Sequence, residues 1–332
     1  MTLASFLDKY DNILFDLDGV ITSEQNYWTI AALTVWEWIY EGEKASIEYM
    51  TENACKIRET VMCKDKLIGL LKNKGVNSNW DLAYVIFAMK NILGTDDFNK
   101  IYKACEDFDD NILNEYPVIE DRLSSVIGGD CKRNGKLWND MVMTFQAWFL
   151  GDDLFRETYR IQPKRTGYKG LINDERPIID NKVLLEIFDK LSRDGKRLAT
   201  ATGRPSREMI KPLTDFGIMK YFAEDAIINY DHIQNAEEKC GMTLSKPHPY
   251  IFIKAMLGEA YDDSAIINGD YDKSGVCRTL VVGDAGSDIL AAKAMGADFC
   301  AVLTGVSGQN ARNYFESIGS EYIIDSLENF LV

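Results

Sequence analysis

Two carboxylates directly follow an apolar run near the start of the chain. Residues 13–15 predict a buried parallel strand, and Gly19 predicts the turn that ends it. Because Asp16 and Asp18 are two residues apart, both can converge on one point beyond the strand, where open α/β sheets bind ligands. Two acids held this close favour a cation such as Mg²⁺ between them. A carboxylate can also act as a covalent nucleophile and become an aspartyl-phosphate.

A second strand ends in a hydroxyl, a glycine and an arginine. Residues 197–201 form its apolar run, and Thr202, Gly203 and Arg204 follow. The next residues predict the start of a helix, whose N-terminal amides favour anions. Taken alone, Thr202 is explained by a turn or a helix cap.

A lysine and a second acid pair complete the set. Lys246 precedes a proline in a loop that enters a helix, and Asp284 and Asp288 follow a third apolar run at residues 279–282. Alone, Lys246 is typical of a solvated charge and Asp284 of a helix N-cap. The conjunction indicates more, because all of these groups fall at strand ends or helix starts.

The order of these groups resembles the four motifs of the haloacid dehalogenase-like (HAD) hydrolase superfamily. The matching positions are Asp16 with Asp18, then Thr202, then Lys246, then Asp284 with Asp288. The resemblance covers roughly residues 10–24 and 177–330. It implies a doubly wound parallel, Rossmann-like α/β sheet, and a helical cap domain inserted between the first and second motifs.

The resemblance also implies a mechanism. Asp16 would attack phosphorus, and Asp18 would protonate the leaving oxygen and later deprotonate the hydrolytic water. One oxygen of Asp16, the backbone carbonyl of Asp18 and the side chain of Asp284 would hold Mg²⁺. Asp288 would orient Lys246 or a metal-bound water.

The same resemblance assigns groups to the phosphate. Thr202 and Lys246 would hold the oxygens of the transferred phosphoryl group, since this chemistry depends on positioning and charge stabilisation. The other expected phosphate-binding positions are Leu17 and Gly19, through their backbone N–H groups, together with Gly203 and Arg204.

These residues predict a Mg²⁺-dependent phosphatase, a phosphoric monoester hydrolase, acting on a small phosphorylated metabolite. The acid at Asp18 favours phosphoryl chemistry over the carbon–halogen cleavage of another branch of the family. Two alternatives stay open: a sugar-phosphate mutase with the same core, and a non-catalytic interaction protein. The substrate and the oligomeric state do not follow from the sequence.

Length, charge and cysteine content limit the classes of protein to which this chain can belong. The 332 residues suggest two domains, and the net charge of −15 argues against nucleic acid and anionic membrane surfaces as partners. The seven scattered cysteines fit reduced thiols in a cytoplasmic protein and not a disulfide framework. The N-terminus does not resemble a signal peptide, and no uncharged run reaches the length of a membrane span.

Hydrophobic periodicity divides the chain. Apolar residues recur at spacings of three and four through much of the stretch 24–177, which predicts an all-helical insert. Strands and helices alternate afterwards, which predicts a parallel sheet built from residues 1–23 and 178–332. Residues 262–274 are polar and predict a surface loop.

Overall fold

The chain passes twice between an α/β unit and an all-helical unit. The computed structural model describes residues 3–76, 78–109 and 111–331. One unit comprises Met1–Glu24 and Glu175–Val332, and the other comprises Gln25–Asp174. The sequence analysis placed these boundaries at 24 and 177, and the role of the helical unit as a cap stays a prediction.

The helical unit is built around its first helix. Helix α1 (Gln25–Ile39) is buried on all sides over residues 30–35 and packs against α3 (Ala54–Val61), α5 (Asn79–Leu93) and α8 (Lys136–Tyr159), as is typical of a core helix. Its helices are α1 (Gln25–Ile39), α2 (Ile47–Glu52), α3 (Ala54–Val61), α4 (Lys66–Asn73), α5 (Asn79–Leu93), α6 (Phe98–Glu106), α7 (Tyr116–Ile127) and α8 (Lys136–Tyr159).

Helix α8 is interrupted where another part of the unit crosses it. Gly151 has φ 77° and ψ 168°, outside the helical region. The backbone of Gly170 lies against this break, since a Cβ built on Gly170 would be 2.5 Å from the carbonyl oxygen of Leu150. Two glycines therefore allow a close backbone crossing that side chains would block.

The α/β unit contains a six-stranded, all-parallel sheet. Its strands are β1 (Asn12–Phe15), β2 (Arg197–Ala201), β3 (Phe222–Ile228), β4 (Thr279–Gly283), β5 (Asp298–Val302) and β6 (Tyr322–Ile324). Their order in the sheet is β3-β2-β1-β4-β5-β6. The first strand thus lies in the middle, with the chain winding outward from it on both sides. This confirms the predicted doubly wound fold, which places a ligand crevice at the carboxyl ends of the central strands.

Helices cover both faces of the sheet. They are α9 (Asn181–Arg193), α10 (Ser206–Asp215), α11 (Tyr230–Cys240), α12 (Tyr250–Leu257), α13 (Asp263–Asn268), α14 (Gly286–Met295) and α15 (Arg312–Ser317). The strand alternation decides the layers: Ile13 and Phe15 join the core under α9 and α10, whereas Leu14 joins the core under α11, α12, α14 and α15.

The predicted loop at residues 262–274 is partly helical. Helix α13 begins there because the Asp262 side chain accepts a hydrogen bond from the N–H of Ala265 at 2.8 Å, and Ile266 is buried beneath it. The surface-loop prediction was therefore wrong for this part.

Among the described residues, no helix combines the length and apolarity that crossing a membrane requires.

The two connections to the helical unit run side by side where they leave the α/β unit. Thr22 and Pro177 form an antiparallel bridge. The N–H of Ile178 donates to the carbonyl of Ile21 at 2.9 Å. Residues near 22 and 177 are therefore held together within the α/β unit.

Candidate active site

The carboxyl end of β1 presents Asp16 and Asp18. Asp16 still belongs to the sheet, because its N–H donates to the carbonyl of Val282 at 2.9 Å. The chain then turns tightly, since the carbonyl of Leu17 accepts the N–H groups of residues 20–22. The two carboxylates therefore leave the sheet at its central strand, which is the edge that the sequence predicted.

Lys246 joins the first acid to the last. Its ammonium lies 2.8 Å from Oδ1 of Asp16 and 2.8 Å from Oδ1 of Asp288. The side chains of Lys246 and Asp288 are 11% and 1% exposed, so both ion pairs are shielded from water. Burial alone would lower the pKa of Lys246, but Asp16 and Asp288 raise it above its usual value.

Asp284 is enclosed by backbone. A Cβ built on Gly19 would lie 2.3 Å from Oδ2 of Asp284, and a Cβ built on Gly305 would lie 1.8 Å from the same atom. Gly19 also has φ +76°, a left-handed value that favours glycine. Both positions therefore require glycine for the Asp284 carboxylate to occupy this place.

Three carboxylates form a compact cluster. One ligand oxygen each from Asp16, Asp284 and Asp288 lies within 4.8 Å of the others. Burial raises the pKa of Asp16 to about 7, with Lys246 opposing this shift and Asp288 and Asp18 adding to it. Burial also raises the pKa of Asp284 well above its ordinary value, and the neighbouring acids raise it further.

The donor set fits a hard divalent cation. All three groups are carboxylates, the ligand type that Mg²⁺ and Ca²⁺ prefer, and three acids exceed the single ammonium of Lys246. The side-chain cluster contains Asp288, whereas the predicted ligands were Asp16, Asp284 and the backbone carbonyl of Asp18. A metal at this cluster would therefore have the Asp288 side chain within reach as well.

Thr202 follows β2, the neighbour of β1 in the sheet. Phe15 pairs with Thr200, which brings the ends of the two strands to the same edge. Thr202 is 1% exposed, and its hydroxyl oxygen accepts a hydrogen bond from the N–H of Arg204 at 3.1 Å. The loop after β2 is therefore tied to the hydroxyl that the sequence singled out.

The side chain of Arg204 is engaged elsewhere than predicted. Its position in the sequence predicted binding to the phosphate, but the guanidinium of Arg204 is bound by Asp18 at 2.6 Å and by Glu175 at 3.1 Å. A guanidinium that compensates two carboxylates has little capacity left for a phosphate. The phosphate-binding role of Arg204 therefore stays a prediction, and the structure gives its side chain two carboxylate partners instead.

Gly19 also departs from its predicted role. Its N–H donates to the carbonyl of Thr22 at 2.9 Å, which closes the turn after β1, and so is not offered to a phosphate. The expected contributions of Leu17 through its N–H and of Gly203 stay predictions.

Three residues near the site escaped the sequence analysis. Thr22 and Glu175 both contact Arg204, and the charge of Glu24 adds to the raised pKa of Asp284. Thr22 and Glu24 follow the first acid pair closely, so their spacing was a usable signal. Glu175 is more than 150 positions away from Asp18 and carries no such signal, since only the paired connections bring it here.

Comparisons with known proteins agree with this site. A family model described as HAD-hydrolase-like matches residues 243–330, which contain Lys246, Asp284 and Asp288. No curated protein sequence matches the chain.

Solved structures extend the comparison to the whole chain. The X-ray structure of a Northeast Structural Genomics Consortium target is 25% identical, covers 97% of each chain and has a TM-score of 0.77. A conserved haloacid dehalogenase-like protein of unknown function from Agrobacterium tumefaciens is 16% identical over 97% of this chain and 96% of that chain, with a TM-score of 0.45. A predicted phosphatase from Clostridium acetobutylicum is 14% identical over 96% and 95%, with a TM-score of 0.42.

The fold and the site define a hydrolase-like α/β protein whose carboxylates gather at the end of a central parallel strand. Residues 243–330 are therefore similar to HAD-like hydrolases, and the chain as a whole shares its fold with a solved structure that is 25% identical.

Proposed function

We propose that the protein is a Mg²⁺-dependent phosphatase that hydrolyses a small phosphorylated metabolite through an aspartyl-phosphate on Asp16. The observation that carries the proposal is the position of Asp16, which is bound by Lys246 at 2.8 Å and belongs to a cluster with Asp284 and Asp288. A nucleophilic carboxylate needs such neighbours, because it must be ionised to attack and must meet a phosphoryl group crowded with negative charge.

Asp16, Asp284 and the backbone carbonyl of Asp18 would hold Mg²⁺ at this cluster, with the Asp288 side chain within reach. Bound there, the ion supplies positive charge that favours ionised Asp16 and offsets charge on the phosphoryl oxygens.

Side chains of the α/β unit perform the nucleophilic attack, the proton transfers and the binding of the phosphoryl group. Asp16 attacks phosphorus, forming the aspartyl-phosphate while the bond to the leaving oxygen breaks. Asp18 gives that oxygen its proton and then takes one from the water that hydrolyses the acyl-phosphate. Lys246 and the hydroxyl of Thr202 hold phosphoryl oxygens, the latter by donating its O–H, because a phosphoryl oxygen can only accept; the Thr202 oxygen itself accepts from the N–H of Arg204. Asp288 keeps the ammonium beside Asp16.

We assign the helical unit the role of a cap. As a cap, it would select the leaving group, whereas the α/β unit would perform chemistry common to many phosphate esters. We expect the partner to be a small cytoplasmic phosphate ester.

The test is hydrolysis of p-nitrophenyl phosphate with Mg²⁺, with and without EDTA, by wild type and by Asp16→Asn. Wild-type turnover that EDTA abolishes and the substitution removes is expected. A panel of phosphorylated sugars, glycolate-type acids and nucleotides, followed by ³¹P NMR, then identifies the substrate class.

The same NMR experiment separates the alternatives. Release of inorganic phosphate supports the phosphatase, whereas a phosphate ester that moves to another position of the same sugar identifies a mutase. Absence of turnover on the whole panel would contradict the proposed enzyme and favour an interaction protein.

A further inference from the structure

A buried arginine joins the proposed acid–base residue to both connections of the α/β unit. Arg204 is 2% exposed, although it follows a surface turn at the end of β2. Its guanidinium donates to four groups: the carboxylate of Asp18, through two nitrogens, the hydroxyl of Thr22, the carboxylate of Glu175 and the carbonyl of Glu208. A charged side chain this deeply buried needs such compensation, because an unpaired buried charge is costly.

The contacts to Asp18 fix its carboxylate in place. Oδ1 of Asp18 accepts from Nη2 of Arg204 at 2.6 Å and from Nε at 3.1 Å, and the hydroxyl of Thr22 donates to the same oxygen at 3.1 Å. Oδ2 accepts from Nε alone among the described contacts, also at 3.1 Å. One oxygen of Asp18 is thus held by three donors, and the other keeps an open lone pair.

The anchor of the guanidinium is more deeply buried than the acid that it holds. The side chain of Glu175 is 1% exposed and that of Asp18 is 29% exposed. Thr22 is fully buried and forms the antiparallel bridge with Pro177. Since a planar guanidinium presents its donors in a fixed fork, the buried Glu175 and Thr22 determine where the partly exposed Asp18 carboxylate can lie.

We infer that Arg204, anchored by Glu175 and Thr22, is a positioning residue that holds the Asp18 carboxylate for proton exchange with the leaving group. It does not bind the transferred phosphoryl group. The inference rests on the proposed function, because it assigns a purpose to Asp18 only if a leaving oxygen must be protonated. It differs from that function in naming a residue that acts through another and never touches the substrate.

The leaving group provides a selective test. Phenolate leaves much less readily than p-nitrophenolate, so phenyl phosphate requires a well-placed acid and p-nitrophenyl phosphate does not. The parameter kcat/KM reports the steps up to release of the leaving group, which are those that need the acid. Loss of positioning should therefore affect the two esters unequally, whereas a general structural defect should affect both alike.

The variant is Arg204→Lys, which retains the charge but loses the fork. We expect kcat/KM to fall about tenfold or more for phenyl phosphate and less than about threefold for p-nitrophenyl phosphate, since general acid catalysis contributes on this scale. Inhibition by inorganic phosphate should keep its inhibition constant. Arg193→Lys, at a side chain 70% exposed on the same unit, is the matched control and should change neither ester.

Two further variants cover a failure of Arg204→Lys to fold. Glu175→Gln and Thr22→Val retain Arg204 but loosen its anchor, and each should shift the ratio of the two kcat/KM values in the same direction by a smaller factor. A crystal structure of any folded variant should show the Asp18 carboxylate displaced from its place in the wild type.

The outcomes are distinct. Equal losses on the two esters, with an unchanged inhibition constant, would make Arg204 a structural residue and overturn the inference. Weaker inhibition by phosphate in Arg204→Lys would show that Arg204 binds phosphate, and would overturn the inference. An unmoved Asp18 carboxylate in a variant would also overturn the inference. If the wild type hydrolyses neither ester with Mg²⁺ nor any of the metabolite panel, the proposed function fails first.

Discussion

The ammonium of Lys246 lies 2.8 Å from Oδ1 of Asp16, although the two residues are separated by 230 positions in the sequence. Each of these charged side chains is largely buried, and a buried charge needs an opposite charge beside it. Asp16 is compensated by Lys246, and Lys246 is shared with Asp288 at the same distance. The pair therefore marks the place where the end of β1, the start of α14 after β4 and the loop before α12 bring their charged groups together.

Asp16→Asn should abolish turnover without loss of the fold. An amide cannot form an acyl-phosphate, so we expect kcat to fall by about a thousandfold or more. Hydrolysis of p-nitrophenyl phosphate measures this, and the far-UV circular dichroism should match wild type. Asp189→Asn, at a half-exposed surface carboxylate, is the control and should retain wild-type turnover. A tenth of wild-type activity in Asp16→Asn would disprove the assignment of the nucleophile.

Asp284→Asn should weaken the dependence on Mg²⁺. A neutral amide oxygen is a poorer ligand for a hard cation, and we expect the half-saturating Mg²⁺ concentration to rise about tenfold or more. Activity measured against Mg²⁺ concentration tests this, with Asp270→Asn at an exposed carboxylate as the control. An unchanged half-saturation point would show that Asp284 does not bind the metal.

Gly305→Ala should reproduce part of that effect without changing any ligand. The added Cβ would lie 1.8 Å from Oδ2 of Asp284, so the carboxylate must move. We expect a weaker Mg²⁺ response, again by about tenfold, in a folded protein. Gly69→Ala is the matched control, because it lies in helix α4 with no described atom within 4 Å of its new Cβ. If Gly305→Ala leaves the Mg²⁺ titration as unchanged as Gly69→Ala does, the Asp284 carboxylate tolerates displacement and is not an essential ligand.

Gly170→Ala and Gly129→Ala form a matched pair in the helical unit. Both glycines have φ +80°, so both substitutions carry a similar left-handed strain of about 1–2 kcal/mol. A Cβ on Gly170 would also lie 2.5 Å from the carbonyl of Leu150, whereas no described atom lies within 4 Å of a Cβ on Gly129. The Gly170 variant should therefore lose about 1–3 kcal/mol more in free energy of unfolding, as overpacked sites do.

Urea denaturation of both glycine variants measures the difference. Equal losses would mean that the crossing of residues 168–170 over the break in α8 opens at little cost. A larger loss for Gly170→Ala supports a rigid crossing.

The sequence by itself determined the sheet and the candidate residues at its edge. Apolar runs, glycine turns and alternating helices are local signals, so the run at residues 13–15 and the segments Arg197–Ala201 and Asp298–Val302 could be recognised as strands without any contact information. Acids and a hydroxyl at strand ends, with a lysine in a loop, carried the resemblance to the HAD-like hydrolases, and a parallel sheet sends all carboxyl ends of its strands to one edge.

Only the tertiary structure decided which partner each charged group takes. Arg204 follows Thr202 in a motif that suggested phosphate binding, yet it is bound by Asp18 and Glu175. The paired connections at Thr22 and Pro177 bring Glu175 to this place. Burial then requires that each charge be matched by its nearest opposite charge, and that proximity is a property of the folded chain, which spacing along the sequence does not contain.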